Sequence, residues 1–166
     1  MTEDETDAAS IDFAVAAYRE EGTWVVAALP ERAMTTALGI QAALRQLPGE
    51  GGVFGLISVG DEFFMIVRTI PGGVRTLISD SVAVLDWTLA QEVAEAAGLE
   101  WDDDDIDDLD ELEPIGDLAI ASDFGMDADE MLMLCEDEGM YPEEQVRAIA
   151  KRLGFARDLS GVLGSR

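Results

Sequence analysis

The stretch Glu100 to Glu113, EWDDDDIDDLDELE, places ten acids in fourteen residues. Like charges at that density repel one another, and Trp101, Ile106, Leu109 and Leu112 are too few to seed a packed core of their own. The stretch therefore reads as a solvated acidic linker, residues 100–114, lying between a sheet-like first part and a helical last part. This predicts a disordered charged leader at residues 1–10, an α+β domain at 11–99 and a helical C-terminal segment at 115–166.

The first part carries the strand signals. Ile11, Phe13, Val15 and Ala17 alternate with Asp12, Ala14, Ala16 and Tyr18, and Arg19 to Gly22 turn the chain into Thr23 to Leu29, predicting a hairpin with Trp24 packed on one face. Pro30 ends that strand. Glu31 to Gln46 reads as one helix with Met34, Ala37, Leu38 and Leu44 on its apolar side. Val53 to Val59 and Phe63 to Ile70 are strongly apolar strands joined through Gly60 and Asp61, a glycine-first pair suited to a type II′ turn. Pro71 to Gly73 turn the chain into a fifth strand, Val74 to Ser79. Phe54, Phe63, Phe64 and Met65 are the heaviest apolar group and are expected in the core. Thr88 to Ala97 reads as a helix with Thr88 and Gln91 in a capping box and Gly98 as its stop. The expected fold class is α+β, a five-stranded antiparallel sheet with two helices in the order ββαβββα. That succession resembles roadblock and longin-type domains, whose families are interaction platforms.

Past the linker come three helical signals. Asp117 to Phe124 is closed by Gly125. In the second, Asp127 is the N-cap with Glu130 three residues on, Met126 and Met131 form a hydrophobic staple, and Gly139 is the stop. The third has Pro142, Glu143 and Glu144 in its first turn, Val146, Ile149, Ala150 and Leu153 at helical spacing, Lys151 and Arg152 at its C-terminal dipole, and Gly154 at its end. Each stripe is too short to bury itself, so these helices are expected to pack together or dock on the first part, with Phe155 as an anchor. Residues 157–166 carry only a weak final turn.

Histidine is absent, and Lys151 and Cys135 are the only lysine and the only cysteine. Ser-His-Asp and Cys-His catalysis are thereby excluded, as is an ordinary zinc site. Cys135 lies mid-helix beside Leu134 and Met131, with Glu136, Asp137 and Glu138 nearby to raise its pKa, so it reads as a structural thiol. LPGEGG at Leu47 to Gly52 is followed by a strand and by no Lys-Ser or Lys-Thr, so it is a loop and no phosphate cradle. The acidic linker offers hard oxygen ligands, but an EF-hand register from Asp102 puts Ile106 at position 5 and Asp107 at the required glycine, and one from Asp103 puts Asp108 there. Only diffuse cation binding is expected. Asp61 and Glu62 are paired carboxylates without a pocket signature. No catalytic, cofactor or metal residue is assigned.

The formal net charge is −26, of which residues 1–99 carry −10 and residues 100–166 carry −16. Such a field repels phosphate backbones and anionic membranes and favours a basic protein partner. The candidate contact residues are Asp102, Asp103, Asp104, Asp105, Asp107, Asp108, Asp110 and Glu111. No apolar run approaches a membrane span, and MTEDETDAAS has neither a basic nor an apolar signal region, so the expected location is the cytoplasm. Two other readings stay open, a carboxylate and divalent-metal enzyme and a self-associating scaffold using its sheet edge.

The segments LRQLPGEGG at Leu44 to Gly52, DEFFMIVR at Asp61 to Arg68, the acidic break, LCEDEGMYP at Leu134 to Pro142 and AKRLGF at Ala150 to Phe155 make the chain similar to the bacterial tRNA adenosine deaminase-associated protein family. The resemblance implies an accessory protein whose acidic side meets the basic tRNA-binding surface of a deaminase. It does not imply deaminase chemistry, which needs zinc held by His and Cys beside an H-x-E motif.

Overall fold

The structure is a computed structural model describing residues 11–60, 62–101 and 113–163. Strand β1 (Ile11–Glu20) and β2 (Thr23–Ala28) form the expected hairpin, with Val15 opposite Ala28 and Glu20 opposite Thr23. Glu21 and Gly22 make its turn at φ 53° and 80°. Strands β3 (Glu50–Val59), β4 (Phe63–Ile70) and β5 (Gly73–Ile78) follow as an antiparallel meander, and β3 also pairs with β1.

The sheet has six strands, where five were expected. β6 is the two-residue segment Ile115–Gly116, pairing with Ile78 and Leu77, and it completes the order β2-β1-β3-β4-β5-β6. Two residues carry no periodicity, so only the pairing itself reveals them. Gly116 sits at φ 116° with its α-carbon so close to the Thr76 carbonyl that a side chain would collide with it. Beyond it Asp117 N–H donates to Thr76 O at 2.9 Å, and Asp117 pairs with Arg75, so the outer strand is closed off by charge.

Both faces of this antiparallel sheet are covered, which explains why β3 and β4 read as nearly continuous apolar runs. On one face Phe63, Met65 and Val67 join Ala14, Ala16 and Ile57 beneath Ile40 and Leu44 of α1 (Ala37–Arg45) and Leu89 and Val93 of α3 (Thr88–Ala96), with Val84 of α2 (Ala83–Asp86) at its margin. On the other, Val15, Phe54, Leu56, Phe64 and Ile66 meet α4 (Ala128–Cys135), α5 (Pro142–Leu153) and α6 (Ala156–Leu163) through Met131, Val146, Ile149, Phe155 and Leu159. Phe54, Phe63, Phe64 and Met65 are all buried, as expected of a core.

Several helix boundaries depart from expectation for local reasons. The helix predicted over Glu31–Gln46 breaks at Thr36, which is extended and accepts a hydrogen bond from Gly39 N–H at 3.0 Å, so a short 3-10 turn (Glu31–Thr35) precedes α1. Helix α3 is entered from Trp87, which puts Thr88 inside the first turn and not at the cap. Residues Asp117 to Phe124 are turns ending in a 3-10 segment (Ser122–Phe124). There Asp117 Oδ1 accepts from Ala119 N–H at 2.9 Å, and Arg68 takes the Ile120 carbonyl at 2.8 Å, so those groups are not free for helical bonding. Asp127 caps α4 through Glu130 N–H as predicted, but α4 stops at Cys135, and Gly139 lies in the following turn. The final segment is a full helix, α6, anchored by buried Leu159.

Helix α5 ends at Gly154, φ 108°, facing the indole of Trp24. Trp24 stacks near Phe155, with centroids 4.8 Å apart, and near Phe124 at 5.2 Å. Arg68 lies beneath, 4 % exposed, its guanidinium 4.7 Å from the Phe54 centroid and forked onto Asp123 with two 2.7 Å bonds.

Candidate functional site: the acidic end of the sheet

Three separate pieces of chain meet where β3 turns into β4. The turn closes through Glu62 N–H donating to Val59 O at 2.9 Å, with Gly60 at φ 41°; Asp61 lies outside the described residues. Beside it, Ser79 directly follows the end of β5, and its Oγ accepts from Phe64 N–H at 2.9 Å. Asp80 follows, accepting from Val82 N–H at 3.0 Å, and Asp86 ends the short helix α2. The α4–α5 connection supplies Glu136, Asp137 and Glu138, all exposed. Asp137 is positioned by Gly139 N–H at 2.9 Å, and buried Gln145 ties α5 to α4 by donating to Leu134 O at 2.7 Å.

Between these pieces is a cavity of about 320 Å³ lined by Glu62, Ser79, Asp137, Glu138, Tyr141 and Gln145, among others. Tyr141 stands 62 % exposed at its rim. The local field is directly felt by Asp80, whose carboxyl is raised above the ordinary carboxylate range by burial first and then by the charges of Glu62 and Asp86, with the Val82 hydrogen bond opposing. Among the described residues the ion pairs are Arg68–Asp123, Arg75–Asp117, Arg147–Glu143 and Arg152–Glu130, so none neutralises Glu62, Asp80, Asp86, Asp137 or Glu138.

The candidate contacts Asp102, Asp103, Asp104, Asp105, Asp107, Asp108, Asp110 and Glu111 lie outside the described residues. Their flanks do not. Trp101 packs against the first core, and the Glu113 carbonyl accepts from Ser81 N–H at 2.8 Å, next to Asp80. Glu113 therefore lies at the same end that gathers the other carboxylates.

Chemically, this end offers carboxylates and one phenol to a cation. Among the described residues no three His, Cys, Asp or Glu side chains come together as a metal-holding group. Cys135 is fully buried, and burial followed by the Glu136 charge pushes its thiol up to about 12. Among the described residues no helix is long and apolar enough to cross a membrane. The sequence had raised Glu62 only as half of a carboxylate pair and Glu136 to Glu138 only as neighbours of the thiol. Their proximity comes from sheet register and the α4–α5 turn, and no spacing in the chain encodes it.

A helix-covered antiparallel sheet with carboxylates gathered at one end defines an acidic α+β protein. The chain belongs to the Rv3753c-like tRNA adenosine deaminase-associated protein family, whose model matches residues 12–156. It is 40% identical over 151 residues to Protein Rv3753c of Mycobacterium tuberculosis H37Rv, covering 91% of this chain and 87% of that relative. No solved structure matches it. Two of the segments that carry the family resemblance, Asp61–Arg68 and Leu134–Pro142, supply Glu62, Asp137, Glu138 and Tyr141 to the acidic end.

Proposed function

We propose that this chain is a non-enzymatic accessory protein that binds a basic protein partner through its acidic end, in the cytoplasm. The family description points to a tRNA adenosine deaminase as that partner. The observation that carries the reading is the gathering of Glu62, Asp80, Asp86, Asp137 and Glu138 at one end with no ion pair to any of them among the described residues; at Asp80 burial first, and then Glu62 and Asp86, raise the carboxyl. A surface that binds tRNA is rich in Lys and Arg, so a carboxylate-lined end is complementary to it and competes there with phosphates. Tyr141 adds a ring face on which an arginine can lie. In this reading the chain governs how readily tRNA reaches the deaminase.

The test is a binding titration with purified deaminase at low and high salt. Affinity should fall as salt rises, and adding tRNA should displace the chain. The triple change Glu62→Gln, Asp137→Asn, Glu138→Gln should weaken binding about tenfold, since each rim charge contributes a few tenths to about 1 kcal/mol. A second variant replaces the eight acids between Asp102 and Glu111 by Asn or Gln. Salt-independent binding, untouched by either variant, would sink the electrostatic mechanism.

A further inference from the structure

We infer that the groove between α4 and α5 docks a basic amphipathic helix of the partner protein. The inference rests on the acidic-end reading and names the element that reading leaves open.

Helix α4 buries Met131 and Cys135 on its inner face, yet it turns Met133 outward, 73 % exposed. The four residues that share the helix surface with Met133 at three and four positions away are Asp129, Glu130, Glu136 and Asp137, all acids. An unbranched, polarizable side chain is thus set in a ring of carboxylates. Beside it runs an open groove of about 620 Å³ whose apolar lining is Met126, Met133, Leu134 and Ala148. Methionine-lined grooves adapt their shape to an entering apolar stripe, and an acidic rim selects a stripe flanked by Lys and Arg.

The basic side chains on the α5 bank fit this reading. Arg152 is paired with Glu130 through bonds of 2.8 and 3.0 Å, Lys151 and Asp137 are the other charges of the lining, and Asp129 and Glu136 flank Met133 on α4 by helical spacing. Asp137 lines this groove and the acidic cavity together, so the two form one continuous surface. Other occupants are disfavoured by charge. A second copy brings its own −26, and residues 1–10 and 102–112 of this chain are themselves acidic.

The experiment uses the full chain and two synthetic Leu/Lys peptides of identical composition, each about 18 residues long. One repeats leucine at helical spacing and the other scatters it. Titrations at roughly physiological salt should show the amphipathic peptide binding about tenfold tighter. Met133→Ser, at an exposed position that leaves the core intact, should erase that preference, and the Met133 methyl resonance should shift on binding. Equal affinities unaffected by Met133→Ser would overturn the groove while leaving the acidic-end reading standing. Dimerisation in sedimentation that is lost in Met133→Ser would overturn it in favour of a second copy. If the deaminase binds and neither peptide does, the groove inference alone fails; if none of them binds, the acidic-end reading fails with it.

Discussion

Trp24 Nε1–H donates to the Leu153 carbonyl oxygen at 3.1 Å, joining β2 to the end of α5 across 129 residues of sequence. The bond occupies one of the carbonyls that a helix C-terminus leaves without an internal partner. Trp24→Phe keeps an aromatic ring against Phe155 but deletes this bond and one ring of the indole, which also packs near Phe54 and Phe124. It should cost about 2 kcal/mol, lowering Tm by about 4–8 °C in thermal unfolding followed by far-UV circular dichroism.

Asp123 should show the opposite of an ordinary surface carboxylate. The hydrogen bond from Arg68 holds it below its usual 3.8. A depressed folded value means that its contribution is present above about pH 4 and is lost as pH falls through the folded value. Asp123→Asn removes the carboxylate charge beside the guanidinium of Arg68, which is 4 % exposed. Because Asp123 itself is 56 % exposed, water screens the pair, and the expected loss is about 1 kcal/mol at pH 7 and not the several of a fully buried pair. Urea titrations of wild type and variant should converge at acid pH.

At Asp80 the sign reverses. Its carboxyl is raised above 3.8 by burial and by Glu62 and Asp86, so the folded chain holds the proton more tightly than the unfolded one. The associated stability is complete below about pH 3.8 and is lost as pH rises through the higher folded value. Asp80→Asn keeps the oxygen that accepts from Val82 and removes the charge. Partial exposure limits the effect, so Tm should rise by about 1–2 °C at pH 7 and not at all near pH 3. A fall in Tm at neutral pH would contradict the charge crowding described for this end.

Cys135 should be inert in the folded protein. It is fully buried, and its thiol is pushed up to about 12. A colourimetric disulfide reagent should leave it unmodified in native buffer and titrate one thiol in denaturant. Rapid native labelling would mean that α4 opens readily from the sheet.

Wherever a pattern repeats along one element, the sequence was readable. The alternation of β1, the apolar runs of β3 and β4, the Asp127 cap and the Pro142 to Gly154 limits of α5 all follow from local side-chain physics. What escaped reading depends on partners distant in the chain. Ile115 and Gly116 are a strand only because Leu77 and Ile78 lie beside them. Arg68 gave no sign of reaching Ile120 and Asp123, and that reach is bound up with the turns where a helix was expected. The acidic end is the extreme case. Glu62, Asp80 and Asp137 are scattered in sequence, and only the folded sheet makes them neighbours.

The second face of the sheet has a consequence for biosynthesis. Phe54, Leu56, Phe64 and Ile66 emerge from the ribosome before any residue of α4, α5 or α6, and those helices are what cover them. For the time needed to synthesise the remaining chain, this greasy surface has no native cover. The nascent protein is then a natural client for holding chaperones, and truncations that end before α5 should fall to aggregation or proteolysis.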